Sequence, residues 1–207
     1  MITLLPSCCL PAVGWFALYN QFPQAEIDVF EHFPKQTYRN RFDILGPNGR
    51  MTLTIPLESR KGEKIPTKDV RIAHGKWING HLTSIRSAYG RSAFFEHYFE
   101  DIETLFKGKQ TFLVDFNEAS LAFFSKYMIS KRVENRIDPG YSADPNDYAD
   151  KRSYFEPGFK WPQLRPYTQV FSDRFPFENN LSALDLLFNH GPRAVDYTLL
   201  IKNGDGH

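Results

Sequence analysis

Trp77-Ile78-Asn79-Gly80-His81-Leu82-Thr83-Ser84-Ile85-Arg86-Ser87-Ala88-Tyr89 is where this chain of 207 residues changes character. Trp77, His81, Ile85 and Tyr89 recur at four-residue spacing, which stacks them on one face of a helix. The helical period continues to Phe106, with Gly90 dividing the run into two helices and Phe94, Phe95, Tyr98, Phe99, Ile102 and Leu105 forming the apolar stripe of the second. On the N-terminal side the period is two: Met51, Leu53, Ile55 and Leu57 alternate with polar neighbours, the pattern of a half-buried strand. This switch predicts a mixed α/β fold, strand-rich in its N-terminal part and helical in its C-terminal half.

Working outward toward the N-terminus, residues 2–10 read as a buried strand that Pro6 interrupts, residues 13–19 as a short helix and residues 25–33 as a second strand. Gly46-Pro47-Asn48-Gly49 is a turn, residues 59–64 form a basic loop, and Val70-Arg71-Ile72 is a short strand. Toward the C-terminus, residues 116–129 form a helix with Asp115 or Asn117 as its cap, and residues 180–189 another, capped by Asn179 or Asn180 and stopped by Gly191-Pro192. Between them, at about 136–166, lies a long irregular loop punctuated by Asp138-Pro139-Gly140, Asp144-Pro145-Asn146 and Glu156-Pro157-Gly158. Its aromatic residues, among them Tyr154, Phe155, Phe159 and Trp161, predict that it packs on the body as a lid. The tail at 203–207 is expected to be loose. The whole chain, 1–207, is expected to be one domain.

Twenty-five Lys and Arg against 24 Asp and Glu leave a net charge of +1, which removes a global pull toward nucleic acid or an acidic membrane. Of the 19 Phe, 10 Tyr and 3 Trp many are expected in the core, and the number also suits stacking surfaces for sugars or bases. Cys8 and Cys9 are adjacent, a spacing that fits neither a mutual disulfide nor zinc, so the chain is expected to be reduced and cytoplasmic. Met1-Ile2-Thr3-Leu4-Leu5 is too short and uncharged for a secretory signal, and no apolar run reaches membrane-spanning length. No metal or cofactor is called for by any motif.

The densest polar stretch is Lys35-Gln36-Thr37-Tyr38-Arg39-Asn40-Arg41, with three cations, two amides, a phenol and no acid. Arg39 and Arg41 offer planar forks for carboxylate or phosphate, and Gln36 and Asn40 both donate and accept. The stretch reads equally as a ligand site or as a basic loop paired to nearby acids. His81 is the candidate general base, set against a structural role on an apolar helix face; His32 is a weaker candidate for the same cleft. Trp77 and Tyr89 offer ring faces. Gln169, inside Tyr167-Thr168-Gln169-Val170-Phe171, is the remaining candidate for reaching a ligand, whereas Asp185 and Asn189, one turn apart, are explained by their helix. Cys8 and Cys9, in an apolar run with no adjacent base, read as inert core thiols.

Taken in order, these pieces resemble the WbqC-like proteins: Leu10-Pro11 after the opening strand, Lys35 to Arg41, Gly46 to Gly49, Ile55-Pro56, Trp77, His81, Ala88-Tyr89, Phe94-Phe95, Tyr98, Asp115-Phe116-Asn117, the Gln169 stretch and the helix ending at Gly191. The resemblance implies an acyl or aminoacyl (glycine among them) transferase acting on an amino sugar in bacterial O-antigen or other surface-polysaccharide synthesis. Its substrates would be a nucleotide- or lipid-linked sugar and an activated acyl donor. In that reading His81 is the base, Lys35, Arg39 and Arg41 hold the anion, Gln36 or Asn40 donates to the oxyanion, and Trp77, Tyr89 or Tyr38 stacks. The alternative is a non-catalytic protein that binds a sugar nucleotide or a partner of the same pathway. Many relatives carry Gln-x-x-Tyr-x-Pro where Cys8, Cys9 and Leu10 lie here, and Trp in place of Tyr38, which points to a branch with its own substrate.

Overall fold

A computed structural model of the chain describes residues 2–59, 64–129 and 148–198. Its organising strand is β1 (Ile2–Pro6), which lies between β2 (Ala25–Asp28) and β5 (Tyr148–Asp150) in a parallel sheet of order β2-β1-β5. A parallel neighbour requires a crossover, and α1 (Val13–Gln21) supplies it between β1 and β2. Leu4 and Leu5 are both buried although they point to opposite faces, as a central strand demands. The strand ends at Pro6, whose missing N–H cannot extend the ladder, and Cys8, Cys9 and Leu10 follow as a buried connection. β2 stops at Asp28 rather than running on to Phe33. The Asp28 carboxylate accepts from the main-chain N–H groups of Phe30 and Glu31, at 2.8 and 3.0 Å, and turns the chain.

The second sheet is a hairpin of β3 (Arg41–Gly46) and β4 (Gly49–Thr54) joined by Pro47-Asn48. The turn falls where expected, but the sequence reading had no strand on its Arg41 side. Register sets Asp43 opposite Thr52 and Leu45 opposite Arg50, on the face that Arg41 shares. The opposite face carries Phe42 and Ile44 into the core. β4 is more exposed than its alternation implied, with Met51 39% exposed, because it forms one side of a two-stranded sheet.

The helical half follows as α2 (Trp77–Tyr89), α3 (Phe95–Lys107), α4 (Leu113–Met128), α5 (Ala183–His190) and α6 (Ala194–Thr198). Gly90 does end the first helix of the pair: a Cβ there would lie 2.7 Å from the Arg86 carbonyl oxygen. α4 starts before its expected caps, which fall inside the helix, and its N-cap position is Phe112, which has no side-chain acceptor. The cap of α5 is Ser182, whose Oγ accepts from the Leu184 N–H, while Asn180 adopts φ 55° and accepts from the Gly14 N–H at 2.7 Å. Val70 to Ile72 makes only single bridges, Ile72 to Leu57 and Arg71 to Phe112.

In its described part, the irregular loop expected at 136–166 is interrupted by one short strand and one turn of 3-10 helix. Its first part, to 147, lies outside the described residues, as does the tail. The rest is anchored: residues 148–150 are β5, and Tyr154, Phe155, Phe159 and Trp161 pack together, with Trp161 against Gly14. That segment is a wall of the fold rather than a free strap. Among the described residues no helix is long and apolar enough to cross a membrane.

Candidate functional site

Residues 35–41 divide by where their side chains go. Arg39 turns inward and is 1% exposed. Its Nε and Nη2 donate to the two carboxylate oxygens of Glu31 at 2.9 and 3.0 Å, and Nη1 and Nη2 also reach the main-chain oxygens of Phe155 and Arg152. Arg152 extends the network to Asp28 and Asp150. These groups sit where β1, β2 and β5 end, and Asn117 of α4 closes the cluster by donating to Ser7 and to the Arg39 carbonyl oxygen. Burial pushes the Glu31 carboxyl up, opposed by Arg39. Arg39 thus joins the β2 end, the start of the hairpin and the segment after β5. Asn40 is also structural: its amide donates to the Ile55 carbonyl oxygen at 2.9 Å and ties down the open end of the hairpin. Lys35 is exposed.

Gln36, Tyr38 and Arg41 turn the other way and come together. With Thr37, Asp43, Thr52 and Pro157 they line a pocket of about 140 Å³. Pockets that enclose a whole drug-sized ligand run from about 300 Å³ upward, so this one takes one polar end of a larger molecule. Asp43 is its anionic centre. The carboxylate accepts from the Tyr38 hydroxyl at 2.7 Å, the Thr52 hydroxyl at 2.6 Å and Arg50 Nη1 at 2.9 Å. Arg50 is itself steadied by Glu178 and the Asn179 carbonyl oxygen. Burial, then the hydrogen bond to Asp43, push the Tyr38 phenol up, so it stays protonated and donating.

Arg41 is the cation of the pocket. Its Nε is buried and has no hydrogen-bond partner, and Arg41 forms no ion pair among the described residues. An unmet guanidinium donor costs free energy unless a ligand or water takes it. Gln36, exposed at the mouth, holds φ 62°, a left-handed conformation that costs a non-glycine residue about 1 kcal/mol or more. The pocket therefore pairs a planar cationic fork with a carboxylate and hydroxyls. Anions and carbonyl oxygens suit the first, ammonium and hydroxyl groups the second. Asp43 and Thr52 were not singled out from the sequence, although the alternation Arg41-x-Asp43 across the turn from Arg50-x-Thr52 carries the signal.

The other expected site residues lie elsewhere. His81, 9% exposed, has Nδ1 at 2.9 Å from the Trp77 carbonyl oxygen and Nε2 at 3.1 Å from that of Thr54. Each nitrogen faces a main-chain carbonyl oxygen, to one of which a neutral ring can donate; neither reaches the pocket, and burial lowers the pKa against the pull of the two carbonyls. His32 is exposed on the far end of the same connection. Trp77 packs edge-on against His81 and Phe106 and lines a different cavity. Tyr89 and Gln169 do converge, on Asp185, which is fully buried. The Gln169 amide donates to Asp185 at 3.0 Å and bridges both ways to the Glu178 backbone, while the hydroxyls of Tyr89 and Tyr167 face the same carboxylate. Burial pushes Asp185 up to about 6. Cys8 and Cys9 are free, buried thiols. Burial raises both, Cys8 to about 12, so neither presents a thiolate. Among the described residues no group of His, Cys, Asp or Glu is placed to hold a metal ion.

Comparison with known proteins follows the same outline. The model of the WbqC-like protein family matches residues 7–139, well over half of the chain, and the chain belongs to that family. Uncharacterized protein Rv1507c of Mycobacterium tuberculosis (strain ATCC 25618 / H37Rv) is 24% identical over 225 aligned positions, covering 95% of this chain and 96% of the relative. No solved structure matches. The family match takes in the pocket lining from Gln36 to Thr52 and the α2 and α3 helices, but not Pro157 or the Gln169–Asp185 cluster.

Proposed function

We propose that this member of the WbqC-like family is an acyl or aminoacyl transferase acting on an amino sugar of bacterial surface-polysaccharide synthesis, with the pocket of Arg41 and Asp43 as the place where the sugar's polar end docks. The observation that carries the reading is that Arg41, a cation with no ion pair among the described residues, and the buried Asp43 carboxylate line the same pocket. An amino sugar offers both complements: an ammonium and hydroxyls for Asp43, Thr52 and Tyr38, and a phosphate or carbonyl oxygen for Arg41. In the reaction the sugar nitrogen forms a bond to the donor's carbonyl carbon and the bond to the leaving group breaks. The ammonium must shed one proton before it attacks and a second as the amide forms; Asp43 is the acceptor within the pocket for the first, and the departing leaving group takes the second. Arg41 and the Gln36 amide are the donors available to the oxygen that gains charge. The small volume leaves the nucleotide or lipid of the acceptor, and all of the activated donor except its carbonyl, outside the pocket.

The test is to incubate the protein with a nucleotide-linked amino sugar and a glycyl or acyl thioester and to look for the new amide by mass spectrometry. Amide formed by the wild type and lost in Asp43→Asn supports the reading; wild-type and Asp43→Asn proteins that make the amide equally contradict it. A second reading is a non-catalytic binder of a sugar nucleotide, favoured by His81, whose two nitrogens both face main-chain carbonyl oxygens, and by the two protonated thiols. Arg41-dependent affinity with no amide from any donor selects that reading.

A further inference from the structure

The cavity that Trp77 lines is separate from the Arg41 pocket and much larger, about 540 Å³, within the range that holds an entire small molecule. Its inner surface is aromatic: Phe106 and Phe116 are each 1% exposed, and the half-buried Trp77 indole is fixed by its N–H donating to the Ala73 carbonyl oxygen at 3.0 Å. Its rim is cationic. Lys76, Lys107 and Lys109 all line it and no Asp or Glu does. Lys107 pairs with Glu103 at 3.3 Å on the exposed side of α3, whereas Lys76 and Lys109 make no ion pair among the described residues. In a chain of net charge +1, three lysines around one aromatic cavity without a lining acid form a local positive field.

A flat apolar ring inside and several negative charges at the mouth is the complement of this arrangement. We infer that this cavity is a nucleotide site, taking the base of a nucleoside di- or triphosphate against the half-buried Trp77 indole, which Phe106 backs from the core, and its phosphates among Lys76, Lys107 and Lys109. Base–aromatic stacking is tolerant of the base, so the lysines and the ring wall together set the class rather than one particular base. Neither Arg41 nor the transferase reading enters this assignment.

Isothermal titration of the full chain with ADP, adenosine and inorganic pyrophosphate tests it. ADP is expected to bind at low ionic strength and more weakly at physiological salt, since the lysines are exposed. Both adenosine and pyrophosphate should bind more weakly than ADP. The double variant Lys76→Gln/Lys109→Gln, which alters only exposed side chains and leaves folding intact, should weaken ADP by about tenfold or more. ADP should also quench tryptophan fluorescence in the wild type and not in Trp77→Phe. Arg41→Gln should leave ADP binding unchanged. The inference is overturned by absent ADP binding, by equal affinity in the lysine variant, by loss of ADP in Arg41→Gln, or by pyrophosphate binding as tightly as ADP.

Discussion

Arg39 and Arg41 stand two residues apart and the account gives them opposite roles, so replacing Arg39 with methionine is an exacting test. Methionine keeps most of the aliphatic volume and removes the guanidinium. Four hydrogen bonds go with it, two to Glu31 at 2.9 and 3.0 Å and two to the Phe155 and Arg152 carbonyl oxygens at 3.3 Å each. Glu31, its side chain only 10% exposed, is left with Arg152 at 3.9 Å as its nearest cation. Breaking a buried pair by deleting one partner costs about 3–5 kcal/mol. That is a large part of a total stability of about 5–15 kcal/mol. For a chain of this size it should lower the thermal midpoint by about 6–20 °C. Urea unfolding followed by circular dichroism measures the loss. Arg39→Met/Glu31→Leu should recover most of it, because an apolar pair of similar volume replaces a buried ion pair at little net cost. A change under about 1 kcal/mol in Arg39→Met, with ligand binding abolished in a fully folded protein, would refute the structural assignment and return Arg39 to the ligand site.

Three further outcomes are expected. Asp185 folds with a carboxyl at about 6 against an ordinary 3.8, so its protonated form is favoured by folding; the stability it contributes is full below about 3.8 and is lost as pH rises through 6. The gap corresponds to about 3 kcal/mol, and Asp185→Asn should flatten the stability profile between those two pH values in urea titrations. Cys8 and Cys9 should fail to react with a thiol reagent in the folded protein at mildly alkaline pH and react fully in denaturant; fast labelling of either in the native state contradicts their burial. Gln36→Gly should raise stability by about 0.5–1 kcal/mol by relieving the φ of 62° while weakening ligand at the pocket mouth, and a destabilised variant would show that the strain is absent.

Much of this fold was legible from period alone. The two-residue alternation ending at Leu57 and the four-residue spacing from Trp77 located the hairpin's second strand and the α2–α3 pair; the helices do bury their apolar faces, whereas β4 keeps the alternation while burying neither face fully. The first strand of the hairpin was hidden behind the basic segment, whose charges read as loop although Arg41 and Asp43 lie on the polar face of a strand. β5 was hidden by prolines on both sides and by its length: three residues that pair only with β1 give no periodic signal. The polar segment holds residues that the structure sends in opposite directions. Composition made Arg39 and Arg41 equivalent, and what separates them is Glu31, eight residues upstream, and a pair of carbonyls more than a hundred residues downstream. The His81 face was read correctly as apolar, but its two carbonyl partners, on Trp77 and Thr54, depend on how α2 packs beside the hairpin.

The most direct measurement is the affinity of an anionic amino sugar that carries no base for the Trp77 cavity, glucosamine 1-phosphate, for the wild type and for Arg41→Gln, by calorimetry. Arg41 makes no ion pair among the described residues and its buried Nε lacks a partner, so the substitution should not lower stability. Loss of a charged, otherwise unmet donor should weaken binding by about tenfold or more. Unchanged affinity in a stable Arg41→Gln protein would contradict the central claim that the Arg41–Asp43 pocket is the site.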